Sequence, residues 1–396
     1  MEEYDVIIAG AGPAGSNCAK ELSDNGYNIL LIDSNTEIGK INFSTAGTPN
    51  ETMKIFNLPK KVTDSPWSSM FFAGPNENYE FNFEKIMGYV LNYKLLTQFL
   101  VKKAKRNGAE IRTETIAENV ITKNGFICGL KIKEKEAVKK VFGRVVIDAT
   151  GGKSALAKKL DIIKCKDKPI VAVEYHMKNV KLEKSNRLEF YIGSKYAPGG
   201  YAWIFPSGKT KAKVGVGIIK WDKTSKKPIE LLEKFVAGNK ETMSAVRTDL
   251  HGGSMYANGG IKNHVRNGFL VIGDAAGQIN PIAGEGIRHA LHSGAFAAQS
   301  ISMALRKGDS SENMLKSYNQ KWNDYAGEKW RISYIIQQML YSFSDKKYDA
   351  IIRLLPHVSK EDAFEISFNY RFKIFRKYLP LILKVVSIGN IAAWGS

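Results

Sequence analysis

The chain reads as an α/β protein: a helix-flanked, mostly parallel sheet, interrupted by an inserted antiparallel sheet and followed by a C-terminal helical region. Three observations predict this. Residues 4–33 run as apolar strand, glycine turn, helix and second apolar strand, one βαβ unit. Over residues 169–219 the pattern changes to short alternating segments, as in an antiparallel sheet. At residues 269–272 the buried parallel-strand pattern returns, followed by a glycine-rich turn and a long helix.

Along the chain, residues 4–9 read as a buried strand, Gly10 to Gly15 as a turn, Ser16 to Asn25 as a helix stopped by Gly26, and residues 28–33 as a second strand. Residues 89–107 read as a helix with Val90, Leu91, Leu95, Phe99 and Leu100 on its apolar face. Strands at 109–121 and 126–133 flank the hairpin signal Asn124-Gly125. Residues 144–149 form another buried strand, leading to Thr150-Gly151-Gly152. Residues 171–175, 188–191 and 212–219 alternate as strands, 228–237 read as a helix, and a long helix runs from about Gly286 to Lys307. Residues 310–396 are helical in pattern.

The 396 residues suffice for two or three domains, and 44% hydrophobic with 24% charged residues is the composition of an ordinary globular chain. Residues 1–64, 89–166 and 253–308 are expected to form a discontinuous nucleotide-binding domain, 65–88 and 167–252 a substrate domain, and 309–396 a helical region. No apolar run is long enough to cross a bilayer, and the N-terminus enters a strand with no signal-peptide pattern. Cys18, Cys128 and Cys165 lie far apart with no CxxC pair, which argues against a disulfide framework or a zinc site and fits a reducing cytoplasm. The net charge of +19 is spread along the chain with no nucleic-acid motif, leaving a solvated surface, or an anionic membrane or phosphate-bearing substrate, as its meaning.

Three motifs carry chemistry. Gly10-Ala11-Gly12-Pro13-Ala14-Gly15 follows a strand and opens a helix, with Asp33 ending the next strand. The glycines allow a tight turn and close approach to a pyrophosphate resting on the helix N-terminus, and the acid is placed for a ribose hydroxyl: a Rossmann-type fingerprint. Residues 145–152, Val-Val-Ile-Asp-Ala-Thr-Gly-Gly, bring a strand end and a small-residue turn beside the cofactor. Gly273 and Asp274 end the strand at 269–272, and Gly284-Glu285-Gly286-Ile287 opens the long helix, whose N-terminal amides favour developing negative charge.

In this order the motifs resemble the flavoprotein family of aromatic hydroxylases, squalene epoxidases, flavin halogenases and geranylgeranyl reductases, which implies FAD as cofactor. A fourth motif narrows the resemblance. Pro198-Gly199-Gly200-Tyr201-Ala202-Trp203-Ile204-Phe205-Pro206 is similar to the PxxYxWxFP pattern of geranylgeranyl reductases. Period-two alternation sets Tyr201, Trp203 and Phe205 on one face, suited to a long apolar chain beside a flavin.

The resemblance covers residues 4 to about 330 and is nearest to archaeal digeranylgeranylglycerophospholipid reductases. It implies FAD contacts at Ala14, Asp33, Ser44, Thr45, Gly47, Ala117, Asp274, Gly286 and Ile287, beside Gly10, Gly12, Gly15, Gly273 and Gly284. It departs at two places. The family cysteine near the flavin falls on Ser44, a far weaker acid than a thiol, and a family arginine falls on Tyr93.

The implied reaction is reduction of an isoprenoid double bond, with Ser44 and Tyr201 as candidate catalytic residues. Implied partners are a prenyl lipid, an electron donor (ferredoxin or reduced nicotinamide) and a peripheral membrane surface. A monooxygenase or halogenase, and a non-catalytic lipid-binding relative, are the alternatives. His289 and His292 lie three apart on one helix face without a carboxylate or cysteine cluster, and read as ordinary histidines with no metal. Residues 371–384 combine basic and apolar side chains, as in an interfacial segment or a helix packed on its own protein.

Overall fold

The computed structural model describes residues 2–40, 44–163, 169–219, 226–374 and 376–380. Among these, the larger sheet has eight strands. Its parallel centre runs Phe269–Val271, Ala137–Asp148, Glu2–Ala9, Ile29–Ile32, Glu110–Arg112, with Val265–Arg266 antiparallel at one edge. The central strands are continuous apolar runs because helices cover one face and the hairpin Thr115–Lys123 with Phe126–Glu134 crosses the other. Val6, Ile8, Leu31, Ile147 and Ile272 are buried with Cys18 and Leu22 of helix Pro13–Asp24 and Ala297 and Ile301 of helix Ile287–Arg306. Cys18 and Cys128 are free thiols, and Cys165 lies outside the described residues. Asn124 (φ 51°) and Gly125 (φ 77°) turn the hairpin in the left-handed conformation that residue pair favours.

The second sheet has seven described strands: Val246–Met255, Ile170–Lys178, Lys211–Ile218, Gly200–Pro206, Arg187–Ile192, Ser69–Ala73 and Asn78–Asn82. Its pairs are antiparallel except Arg187–Ile192 against Ser69–Ala73. One face packs on helix Pro228–Gly238 through Tyr175, Val214, Val216, Leu232 and Phe235. The other carries Trp203, Phe205 and Leu188 against Trp67, Phe81 and the C-terminal Ala363 and Phe368. A three-stranded sheet, Gly47–Pro49, Gly88–Leu91 and Thr63–Trp67, packs on the second sheet through Trp67 and Val90.

The helix expected over 89–107 is corrected at its start: Gly88–Leu91 is a strand and the helix is Tyr93–Arg106. Asn92 divides them, its Oδ1 accepting from Leu95 N at 3.0 Å as N-cap. The strand Val246–Met255, almost wholly exposed at a sheet edge, has no apolar alternation that would announce it in the sequence. It straddles the expected boundary at 252/253, as Thr63–Trp67 straddles that at 64/65. After Arg306 the chain forms helices Glu328–Leu340, Asp345–Leu354 and Lys360–Ser367, preceded by a π-turn at Asn323–Gly327. No described helix is long and apolar enough to cross a membrane.

Candidate active site

A cavity of about 1660 Å³ lies at the carboxyl ends of the parallel strands, where Ala9, Ile32, Ala149 and Ile272 line it, and continues beneath the second sheet. Pockets for a single small ligand run to roughly 300–1,000 Å³. This one has room for two occupants.

The glycine turn forms one end. A Cβ on Gly10 (φ +107°) would stand 2.2 Å from Ala149 O, and one on Gly15 would stand 2.0 Å from Gly10 O. These two glycines hold helix and strands together, while Gly12 faces open space, bounded only by Tyr93 Oη at 3.5 Å from such a Cβ. No side chain caps helix Pro13–Asp24, so its first-turn amides are left for an anion. Asp33 accepts from Ala11 N (Oδ2, 2.8 Å) and Asn35 N (Oδ1, 2.8 Å). A carboxylate keeps lone pairs beyond these for a hydroxyl. Ala14 and Ala117 line the same end. Gly15 and Gly273 are not in the cavity wall: a Cβ on Gly273 (φ +64°) would lie 2.7 Å from Ala14 Cβ, so it too is a spacing residue.

Tyr93 takes the place where the resemblance implies an arginine. Burial, with the charges of Asp274 and Asp33, pushes its phenol well above the usual range. A neutral hydroxyl therefore stands over the glycine turn where a cation was expected.

Further in, Asp274 follows the strand Phe269–Val271, and burial pushes its carboxyl up to about 6. Asn280 Oδ1 accepts from Ile282 N and Ala283 N at 2.9 and 2.8 Å, tying the turn that presents Gly284 and Gly286. Helix Ile287–Arg306 begins there, again with no side-chain cap. Burial raises Glu285, but the Arg288 charge and contacts with His289 and Tyr370 outweigh it and hold the carboxyl near 2. Two uncapped helix N-termini thus open on one cavity, each beside a carboxylate placed for sugar-like hydroxyls. The arrangement fits an extended dinucleotide with a ring system at Gly284–Gly286.

Beyond the turn the cavity becomes apolar. Tyr201, Trp203 and Phe205 all line it from strand Gly200–Pro206. Trp203 lies across Gly215 on the neighbouring strand, where a Cβ would come within 2.2 Å of the indole. Leu340, Tyr341, Ile352, Leu355 and Phe368 close the far end. Sequence reasoning does not place these C-terminal residues at the site, because their apolar stripes do not say which surface they cover.

Ser44, Thr45 and Gly47 form the wall between the two parts. Ile41 to Phe43 lie outside the described residues. Thr45 Oγ1 and Trp203 Nε1 both donate to Glu174 Oε2, at 2.6 and 2.9 Å. Glu174 is 4% exposed and lines the cavity, and sequence reasoning misses it. Burial raises its carboxyl, yet His176, the Lys213 charge, Thr45 and Trp203 together bring it below the usual range. Tyr201 donates to Ala283 O at 2.6 Å, and burial pushes its phenol well above its usual range. That proton is committed to the turn, which makes Tyr201 a brace and a poor acid. His289 Nδ1 lies 3.0 Å from Tyr325 Oη, and no cluster of metal-ligand type occurs among the described residues.

Residues 169–253 match the model of the geranylgeranyl reductase catalytic domain, and residues 5–158 that of FAD-dependent oxidoreductases. The chain is 33% identical over 359 residues to the digeranylgeranylglycerophospholipid reductase of Methanocaldococcus jannaschii, covering 89% of this chain and 90% of that one. To a reductase of the same name from Methanosphaera stadtmanae it is 30% identical over 398 residues, covering 98% of both. Among solved structures, a geranylgeranyl bacteriochlorophyll reductase-like protein from Thermoplasma acidophilum superposes with TM-score 0.87 at 26% identity, covering 95% of this chain and 99% of that one. A flavin-dependent brominase superposes with TM-score 0.71 at 20% identity, covering 89% of this chain and 93% of that one, a likeness of fold alone. With the dinucleotide end, the aromatic row and these likenesses in agreement, the chain belongs to the geranylgeranyl reductase family of FAD-dependent oxidoreductases.

Proposed function

We propose that this enzyme saturates the isoprenoid double bonds of a geranylgeranyl-bearing ether phospholipid. The observation that carries the reading is a single cavity in which Tyr201, Trp203 and Phe205 lie between the Gly284–Gly286 turn and an apolar vault of C-terminal residues. Reduced FAD, when bound, supplies a hydride. Gly10, Gly12, Ala14, Asp33 and Ala117 would hold its adenosine and pyrophosphate, with Gly15 and Gly273 spacing the frame. Asp274, Gly284, Gly286 and Ile287 would hold the ribityl chain and ring, with Ser44, Thr45 and Gly47 on the other side. The N-terminal amides of helix Ile287–Arg306 favour negative charge on the ring.

An isolated alkene accepts hydride poorly, so a proton must arrive with it. The aromatic wall keeps bulk water from the reacting carbons. A single dinucleotide fingerprint makes the electron donor, ferredoxin or reduced nicotinamide, a transient visitor. The +19 charge and the basic residues from Arg371 onward would hold the enzyme at anionic headgroups, peripheral to a membrane on its cytoplasmic side.

The test is anaerobic. Purified protein is reduced with dithionite and mixed with a geranylgeranyl-bearing phospholipid, and flavin absorbance and product mass are followed. Flavin reoxidation with a gain of two hydrogens per bond is expected. A flavin that stays reduced over the lipid, and that inserts an oxygen atom into an apolar substrate once air is admitted, would overturn the reading in favour of a monooxygenase.

A further inference from the structure

The N-termini of two helices meet at the glycine turn, and the second carries a hydroxyl with no protein partner. Tyr93 is the first residue of helix Tyr93–Arg106. Its position is fixed from both sides. Asn92, the N-cap, accepts from Leu95 N and donates through Nδ2 to Asp64 Oδ1, both at 3.0 Å. Thr97 Oγ1 donates to Tyr93 O at 3.0 Å. The ring packs on the cluster that holds Ala46, Leu96, Ile287 and Leu291. The hydroxyl, at the ring's far end, makes no hydrogen bond among the described residues. It stands 3.5 Å from where a Cβ on Gly12 would lie, and Tyr93 lines the cavity.

The neighbouring charges say what the hydroxyl faces. Asp33 and Asp274 both act on the Tyr93 phenol, and no cation does so among the described residues. Lys153 and Lys158, which also line the cavity, are exposed. An FAD molecule runs in the order adenine, ribose, two phosphates, ribityl chain, ring. With the ribose at Asp33 and the ribityl chain at Asp274, the diphosphate falls between them. There the uncapped amides of helix Pro13–Asp24 and the open face of Gly12 receive it. Tyr93 lies between the same two carboxylates, over the same glycine. A phenylalanine would pack on the same cluster without placing an unpaired hydroxyl in the cavity, and such a group is unfavourable until a ligand completes it.

We propose that Tyr93 donates a hydrogen bond to the diphosphate of the dinucleotide, completing the anion cradle begun by Gly12 and the first-turn amides of helix Pro13–Asp24. The inference rests on the FAD reading and is independent of the lipid. Held by two carboxylates in its protonated form, the phenol offers a proton and no negative charge to the phosphates. It does by direction what a cation would do by charge, so its share of the binding is little screened by salt.

The test uses the holoenzyme and no lipid. The FAD-loaded chain is diluted serially, and released flavin is read by its fluorescence. ADP and adenosine, which differ by the diphosphate alone, then compete for the site. In Y93F the ring and its packing remain. Its Kd for FAD should rise by about tenfold, the scale of one hydrogen bond to a charged group. ADP should compete more weakly by the same factor, and adenosine should compete as well as before. FAD and ADP binding equal to the parent's would overturn the proposal. So would ADP and adenosine weakened alike, since the hydroxyl would then shape the pocket without touching phosphate. A salt series gives a second measurement: added salt should weaken FAD binding to the parent and to Y93F in the same proportion. A steeper fall in the parent would mean that an ionised group does the holding, and would overturn the neutral contact. A parent that holds no FAD would remove the dinucleotide reading and this contact with it. One that holds FAD and reduces no lipid would count against the substrate reading alone, and the Y93F result would still decide the contact.

Discussion

Tyr370 donates a 2.7 Å hydrogen bond to Glu285 Oε2, which joins the C-terminal region to the turn that presents the second helix N-terminus. Arg288 completes the joint, donating to Glu285 Oε2 at 2.8 Å and to the carbonyl oxygen of Phe368. The apolar vault and the Gly284–Gly286 turn are therefore held by one buried ion pair, and a change at either side reaches the other.

Acid should dissolve that joint. Glu285 has a folded pKa near 2, below the value near 4.5 it takes when unfolded. A depressed carboxyl contributes stability that is complete above the unfolded pKa and lost as pH falls through the folded one. The window is thus roughly pH 5 down to pH 2, and the contribution is about 3 kcal/mol. E285Q should lose stability of that order at pH 7 and converge with the parent at low pH in urea titrations. Parallel curves at all pH values would show the pair to be energetically idle.

Tyr201 is expected to brace and not to donate. Y201F removes the bond to Ala283 O and should cost about 1 kcal/mol in thermal or urea unfolding. It should leave the pH profile of lipid reduction unshifted. A profile displaced in Y201F would return the hydroxyl to the list of acids.

Ser44 should likewise prove dispensable as an acid. Its place in the wall is set through the backbone, with Lys213 Nζ 3.5 Å from its carbonyl oxygen. S44A should reduce lipid at nearly the parent rate, and S44C as fast or faster. A large loss in S44C would give the hydroxyl a role of its own.

What the sequence displays and what it hides separate on physical grounds. Gly10 and Gly15 are legible because a Cβ is sterically impossible at either, and the demand is local. Tyr201, Trp203 and Phe205 are legible because a strand has period two. Glu174 and His176 obey the same alternation yet stay hidden: polar residues alternating with Val173 and Tyr175 normally face water. Here a second layer, the loop through Thr45, covers that face. Val90 and Leu91 fit a helical stripe and a strand equally, and only the cap at Asn92 separates them. The C-terminal vault is not legible at all, since Tyr341, Ile352 and Phe368 line the same cavity as the aromatic strand from positions distant in sequence.

Gly215 should be intolerant of any side chain. Even alanine would place its Cβ 2.2 Å from the Trp203 ring. G215A must displace the indole, and overpacking of this kind costs about 1–3 kcal/mol. Displacement also breaks the 2.9 Å bond from Trp203 Nε1 to Glu174. The variant should melt earlier and show altered tryptophan fluorescence. A parent-like melting curve and spectrum would mean that the sheet yields and the ring does not.

The basic C-terminal segment makes the membrane reading measurable. Helix Lys360–Ser367 is bridged to the residues after it by Arg371–Glu365 at 2.9 Å and Lys377–Asp362 at 2.7 Å, and Tyr378 is buried, lines the cavity and donates to Asp362 at 2.6 Å. The start of the segment therefore packs on its own protein, while residues 381–396 lie outside the described ones. Lys373, Arg376 and Leu379 remain exposed on it. Exchanging Lys373 and Arg376 for glutamine leaves both ion pairs intact. If these cations face anionic lipid, each contributes about 1 kcal/mol, so the double variant should bind anionic vesicles roughly 30-fold more weakly at low salt. The difference should shrink as added salt screens the charges. Vesicle co-sedimentation over a salt series reads both effects. Equal binding of the variant and the parent would place the membrane-facing surface elsewhere and leave this segment a packing element alone.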